Sequence, residues 1–359
     1  MTLTIAELPI PELLDDSPVA RDFEQATAAR NAAEVASFGT PDVAYPAAEL
    51  LPGWQPSAHE QRRMLVARLD RRIVARGAYE SPLEGDAANT AWLQLHVHPE
   101  FTGRGVGRAL ADALEQIAVD EGRAQAHVYA GSPPAPGPRL EPPTGFGSVP
   151  AENREVRFLL ARGYELGQVN RGSRLPLPVD PELLAERRAA AEARAEGYRV
   201  HLWEKTAPER WLPDLAMLAT RMSTDAPSGG LDEEEDVWTV ERWLEAEEEH
   251  RDSPRVFLYA AVEHVASGHL AGYTELAAPT DPTRAVDQGD TIVMREHRGH
   301  RLGMLLKIAN IAHLDERYPG HPSITTFNAE ENRHMLDVNE SVGFEPFAYE
   351  GAWQKKFSS

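Results

Sequence analysis

The sequence predicts an α/β chain built as a tandem repeat, and three observations carry that reading. Residues 95–98 form a β-branched and apolar run that passes through a short basic turn rich in glycine into an apolar-periodic stretch. The same shape returns 196 residues later, counting from Leu95 to Thr291. Before each copy lie two alternating runs: 64–69 and 72–79 in the first, 255–263 and 268–276 in the second. After each copy a short helical pattern closes on Gly and an aromatic residue, Gly163-Tyr164 and Gly343-Phe344. Period-two alternation marks half-buried strands and a 3.6 period marks helices, so the order of elements repeats along with the motif.

Element by element, residues 1–60 read as helical and loop-like, with turn signals at Gly39-Thr40-Pro41 and Pro52-Gly53. Residues 64–79 read as a hairpin turning near Asp70-Arg71, 91–98 as a buried strand, and 105–121 as a helix with Val106, Leu110, Leu114 and Ile117 on one stripe. Residues 131–150 are crowded with Pro and Gly and read as a long irregular loop. A helix follows over 152–162, and Pro-Leu-Pro-Val-Asp-Pro at 176–181 ends the first unit. The Ala/Glu/Arg-rich stretch 182–196 reads as an exposed linking helix. The second unit offers a strand at 198–203, a helix at 208–222 and a loop at 223–230, then an acidic helical stretch to about His250. Beyond it come strands at 255–263 and 268–276, a Pro/Asp loop at 279–290, a strand at 291–295, a helix at 302–315, a strand at 323–328 and a helix at 330–341. The expected division is 1–180, a linking helix 181–197, and 198–359.

Bulk composition narrows the function. With 359 residues, 42% apolar and 26% charged, the chain has room for two ordinary domains. No stretch approaches eighteen apolar residues, and Met1 to Asp16 has acids where a signal peptide needs bases, so no membrane span or leader is expected and the location reads as cytoplasmic. The absence of cysteine removes disulfides, thiolate zinc sites and a thiol nucleophile. Net charge is −21: residues 1–180 hold 24 acids against 17 bases, and 181–359 hold 33 against 19. Nucleic acid is therefore disfavoured as a partner, and a cationic small molecule would be attracted. A surface acidified only for solubility is the plainer reading of the same numbers.

A strand feeding a helix through glycines leaves backbone N–H groups free at the helix start, which suits a pyrophosphate. Here the two cradles are Thr102-Gly103-Arg104-Gly105-Val106-Gly107 and Arg298-Gly299-His300-Arg301-Leu302-Gly303. A dinucleotide fold does not fit, because the Gly103-x-Gly105-x-Gly107 spacing is wrong. A metal site on His96-x-His98 lacks an obvious carboxylate, so no metal is expected.

The two cradles, with Asn332 ahead of Gly343-Phe344 and Asn153 ahead of Gly163-Tyr164, resemble the GCN5-related N-acetyltransferase (GNAT) superfamily. The layout is similar to its tandem, mycothiol synthase-like actinobacterial form. The family signature Gln/Arg-x-x-Gly-x-Gly/Ala is met by both glycines in the first unit, where Thr102 replaces the leading residue. In the second unit Arg298 and Gly303 match, and Arg301 stands at a glycine position. The resemblance implies two tandem domains, each a mixed, mostly antiparallel twisted sheet flanked by helices. It implies acetyl-CoA, or another acyl-CoA, as co-substrate, with its pyrophosphate in the cradles and its pantetheine arm along the strands at Val97 and Val293. Asn328 and Asn332 would line the acyl-CoA channel; as a residue type, Asn332 equally suits a helix cap.

The resemblance further implies direct attack by a primary amine on the thioester, and that amine must lose a proton. The first unit's strand offers no carboxylate, whereas the second offers Asp290 with Glu275 on the preceding strand, so the second unit is expected to be catalytic. Ordinary strand-edge acids would look the same. Asn339 occupies the position where the family often has a tyrosine that protonates the thiolate, and an amide has no ionisable proton to give. The expected activity is acyl transfer to a small, cationic amine by a monomer or homodimer. The alternative is a non-catalytic acyl-CoA-binding regulatory or scaffold protein.

Overall fold

In the computed structural model, which describes residues 2–357, the two repeats share one sheet. In chain order the elements are β1 Leu3–Glu7, α1 Pro18–Phe38, α2 Ala47–Leu50, β2 Glu60–Leu69, β3 Arg72–Pro82, β4 Thr90–Val97, α3 Val106–Asp120, β5 Gln125–Gly131, β6 Arg139–Leu140, β7 Val149–Pro150, α4 Arg154–Ala161 and β8 Glu165–Pro176. They continue with α5 Pro181–Glu192, β9 Tyr198–Glu204, α6 Leu212–Asp225, α7 Val240–Asp252, β10 Arg255–His264, β11 His269–Pro279, β12 Val286–Val293, α8 Leu302–Arg317, β13 Ser323–Ala329, α9 Arg333–Val342 and β14 Glu345–Lys356. Among the described residues, twelve strands run in the order β1-β2-β3-β4-β5-β14-β8-β13-β12-β11-β10-β9.

Alternation builds the first half as expected. On β2, Leu65 and Ala67 join a core with Val106, Leu110 and Leu114 of α3, while Met64 and Val66 join Phe23 and Ala26 of α1 on the other face. The α3 stripe is the one the sequence spaces, extended by Ala118. It lies so close to the sheet that a Cβ at Gly77 would stand 2.9 Å from Leu114 Cδ1. The second half repeats the sandwich, with α8 on one face through Leu305, Leu306 and Ile308 and α6–α7 on the other through Leu215, Leu218 and Trp243.

The sheet corrects several sequence expectations. The last strand of each half is inserted beside the other half: β14 pairs antiparallel with β5, and β8 pairs antiparallel with β13, with β14 and β8 adjacent. None of β5, β8 and β14 was read as a strand from the sequence. The expected loop 279–290 is already strand from Val286, so Asp290 lies inside β12 rather than at its start. The acidic run before Val240 is extended and irregular, not helical. In chain order we propose the division 1–180, 181–197 and 198–359, with α5 spanning the middle segment. In space each half holds the other's final strand.

The strand exchange makes a direct prediction. Residues 1–180 expressed alone lack β14 and leave facing edges of β5 and β8 unpaired. That fragment should show no cooperative thermal transition by circular dichroism, and adding 181–359 should restore one. A cooperative transition in the isolated fragment would contradict the requirement for exchange.

Candidate active sites

In the second half, a bulge sets the site. The β11–β12 register runs Gly272↔Val293, Tyr273↔Ile292 and Thr274↔Thr291, then resumes at Leu276↔Gln288. Gly289 and Asp290 therefore oppose Glu275 alone, the two-against-one count of a β-bulge. A Cβ at Gly289 would stand 2.2 Å from Glu275 Oε1, so a side chain there would displace the carboxylate. Gln288 Nε2 fixes the bulge by donating to Glu275 O at 2.6 Å and Thr274 Oγ1 at 3.0 Å.

Glu275 and Asp290 meet on the wall of a cavity of about 340 Å³, with Tyr259, Tyr273, Trp238 and Trp243. Burial, and then the charge of Asp290, raises the Glu275 pKa; burial raises that of Asp290. Two carboxyls this close in a low-dielectric site cannot both ionise, so the pair holds a proton. The Tyr273 hydroxyl donates to Asp290 Oδ2 at 3.4 Å. His250 Nδ1 lies 3.1 Å from the Tyr259 hydroxyl, and burial pushes that histidine down to about 4, so its imidazole is neutral. Glu247 is already bonded to Ala207 N and Trp243 Nε1. The cavity thus offers a proton-sharing acid pair with an aromatic wall, chemistry that attracts an ammonium group and accepts its proton.

The parallel strands open beside both halves. β4 pairs with β5 only from Thr90 to Trp92, and β12 pairs with β13 only at Val286 and Asp287. Beyond those points β4 and β12 have backbone edges free of the neighbouring strand, and Val97 and Val293 lie on these edges. The notch ends at a cradle in each half. In the first, Gly103 and Gly105 take positive φ of 75° and 82°, and α3 starts at Val106 without a side-chain cap. Arg72 and Arg104 flank the Phe101 ring at 5.0 and 5.2 Å. Thr102 Oγ1 donates to Pro99 O at 2.9 Å, bracing the turn into the cradle. Gly107 and Val106 form the first turn of the helix.

In the second cradle Gly299 has φ 87°, and Arg301 takes φ 55°, the left-handed conformation that Gly105 takes in the first. For a side-chain-bearing residue that conformation costs about 1 kcal/mol. Arg298 is committed within the protein: Nε donates to Val293 O at 3.0 Å and Nη2 to Asp225 Oδ2 at 2.9 Å. His300 Nδ1 lies 3.2 Å from Arg194 O. Leu302 is buried beneath the cradle, and Gly303 has open space where a Cβ would stand.

Asn339 is buried, donates from Nδ2 to Asn328 Oδ1 at 2.8 Å, and among the described residues leaves its own Oδ1 without a partner. Asn332 caps α9, accepting from Met335 N at 3.3 Å. The structure therefore brings Glu275 to Asp290 and Asn328 to Asn339, in two separate contacts. His96 and His98 have different partners, Glu34 and Glu100 N. Among the described residues no three His, Asp or Glu side chains are grouped as metal ligands. Tyr259, Tyr273 and Glu34 carried no local signal in the sequence, because each gains its meaning from a distant element.

Residues 29–135 match the acetyltransferase (GNAT) family model. Over 258 residues the chain is 28% identical to a mycothiol acetyltransferase of Thermobispora bispora, covering 70% of this chain and 71% of that one. A tandem GNAT protein from the clavulanic acid biosynthesis pathway superposes with a TM-score of 0.71 at 24% identity, covering all of both chains. A GCN5-related N-acetyltransferase from Sphaerobacter thermophilus gives 0.60 at 16% identity, over 99% of this chain and 95% of that one.

Two outcomes follow from the bulge. Gly289→Ala should preserve the fold while displacing Glu275, visible as a loss of ligand-induced stabilisation by amines in thermal shift. The acid pair also fixes a pH dependence. A carboxyl whose folded pKa is raised contributes stability that is present below its unfolded value near 4.5 and lost as pH rises through the folded value. Glu275→Gln should therefore gain thermal stability over wild type at pH 8 and gain little at pH 5; equal gains at both would contradict the raised pKa.

Proposed function

We propose that this chain, which carries the acetyltransferase domain of the GCN5-related N-acetyltransferase superfamily within a tandem GNAT fold, moves an acetyl group from acetyl-CoA to a primary amine, and that its second half does the chemistry. The observation that carries the proposal is the Glu275–Asp290 pair on the wall of an aromatic-lined cavity. In this reading the N–H groups opening α8 and the 298–303 turn receive the pyrophosphate, where a helix start favours negative charge. The edge of β12 that has parted from β13 takes the amide-bearing arm by strand-like pairing, with the Val293 carbonyl already held by Arg298 Nε.

The acceptor enters the cavity as an ammonium ion, drawn by the acid pair. Deprotonation by Glu275 or Asp290 yields the nucleophilic amine, which attacks the thioester carbonyl. The carbon–sulfur bond breaks and CoA leaves as a thiolate, which takes up a proton. Asn339 enters this reading as a hydrogen-bonding residue that orients Asn328 at the opening of the strands, not as an acid. The tight ion pair of Arg298 with Asp225 points to the backbone, rather than that guanidinium, as the main phosphate contact. The Thermobispora relative is named a mycothiol acetyltransferase, and acetyl transfer by a similar chain supports the reading.

Thiol release from acetyl-CoA with a panel of small amines tests it. Glu275→Gln combined with Asp290→Asn should lower kcat for the best acceptor about 10²-fold, the usual worth of a positioned proton acceptor, with the KM for acetyl-CoA nearly unchanged. An unchanged kcat would remove the pair from the mechanism. Binding of acetyl-CoA without turnover for any amine would favour the scaffold alternative.

A further inference from the structure

The first half contains its own base-like arrangement, built from elements 62 residues apart. On β4, Trp92, Gln94 and His96 share a face, and β3 register sets Glu80, Ala78 and Arg76 opposite them on that same face. Helix α1 covers this face and brings Glu34 to His96, with His96 Nε2 and Glu34 Oε1 2.8 Å apart. With the carboxylate as acceptor, the ring hydrogen sits on Nε2 and the lone pair on Nδ1. Nδ1 is buried and, among the described residues, has no hydrogen-bond partner. An imidazole oriented by a carboxylate with its second nitrogen free is the arrangement of a general base. His96 lies on the part of β4 that has parted from β5, one residue before Val97 and a few residues from the Gly103–Gly107 cradle.

Farther along the same face is a cavity of about 370 Å³, at the point where β4 and β5 diverge. Its walls include Trp92, His127 and Glu80 from the first half and Glu233 from the acidic segment of the second. His127 is 1% exposed and meets the Trp92 ring edge-on, with centroids 4.9 Å apart. Four residues of strand, roughly 13 Å, separate Trp92 from His96.

We propose that the first half is a second acyl-transfer centre, resting on the acetyl-CoA reading above, in which His96 accepts the proton of an extended diamine whose far ammonium sits in the cavity between Glu80 and Glu233. The amine nitrogen attacks the thioester carbonyl of acetyl-CoA and its proton passes to His96 Nδ1. The carbon–sulfur bond breaks, and the departing thiolate takes the proton back as free thiol. Glu34 stabilises the imidazolium while it exists. The groups facing His96 are Glu34 and Arg30 from α1, Arg76 from β3 and, next to Glu34, Glu350 from β14. Burial outweighs the Glu34 contacts that oppose it and lowers the His96 pKa, so the ring is neutral and able to accept at pH 7.

Two measurements test the centre independently of the second half. In the full chain with isotope-labelled histidine, His96→Asn identifies the His96 ring signals. Acetyl-CoA should shift them, and 3′-phosphoadenosine 5′-diphosphate, which has no pantetheine arm, should not. Equal shifts with both, or none with either, would overturn the proposal whatever happens at Glu275. In the Glu275→Gln, Asp290→Asn variant, the residual thiol release with spermidine should exceed that with 1,2-diaminoethane and fall at least tenfold on adding His96→Asn. It should also rise with pH below 6.5 and then level off. Residual turnover indifferent to His96→Asn would overturn the proposal. Loss of turnover by His96→Asn alone, with none from the acid-pair variant, would retain this centre and discard the second half's.

Discussion

The insertion of β14 between β5 and β8 is the constraint on which the rest depends. It joins two sandwiches through backbone pairing rather than through a surface contact, so the floors of both candidate sites belong to one sheet. The same strand positions the acidic segment. Gln354 Nε2 donates to Gln125 Oε1 at 2.8 Å and to Asp232 Oδ2 at 3.0 Å, and Asp232 N donates back to Gln354 Oε1 at 2.7 Å. Gly230 N donates to Gly167 O on β8, where a Cβ at Gly167 would stand 2.5 Å from Leu231 Cδ2. A charge run with no helix-forming context is thus laid across the first half, and Glu233 reaches a cavity built mainly by the other repeat. Arg242 extends the joint, bridging Asp236 at 2.6 Å and Glu60 at 3.1 Å.

The two halves divide their virtues differently. The first cradle has two left-handed glycines and arginines stacked on Phe101, and among the described residues Arg104 and Arg108 form no ion pair. The second has a strained Arg301 and an Arg298 held by Asp225, yet beside it stands the acid pair that the bulge at Gly289 permits. In the proposed reading, proton chemistry in the second half comes from two carboxyls raised by burial, and in the first from an imidazole kept neutral by burial. One physical cause, desolvation, acts in opposite directions on the two kinds of base and leaves each able to take a proton near neutrality.

Much of this was legible in the sequence where local pattern decides structure. The α3 stripe, the hairpin at Asp70-Arg71 and the two cradles follow from period and turn chemistry, and Glu275 was paired with Asp290 from their strand positions alone. Strands β5, β8 and β14 escaped notice because their partners lie in the other repeat, and no local alternation announces an exchange. Asp290 was placed at a strand start because Gly289 and the acids around it read as loop, whereas here glycine marks a bulge. The Glu34–His96 contact is invisible for a simpler reason: the helical and loop-like pattern of 1–60 sets no helix against β4, so nothing local brings residue 34 to residue 96. The helical reading of the acidic run failed because Gly229, at φ 64°, and the anchors on β8 and β14 hold it extended.

The most direct measurement is the stoichiometry of acetyl-CoA binding by calorimetric titration, on the wild-type chain and on Gly303→Trp. Gly303 has no positive φ and open space around its Cβ position, so the bulky side chain closes the second cradle without straining the backbone. Two acetyl-CoA molecules per wild-type chain and one per variant chain is the result this account predicts. Binding that is absent, or that is unchanged by Gly303→Trp, would contradict the assignment of the second half as an acyl-CoA seat.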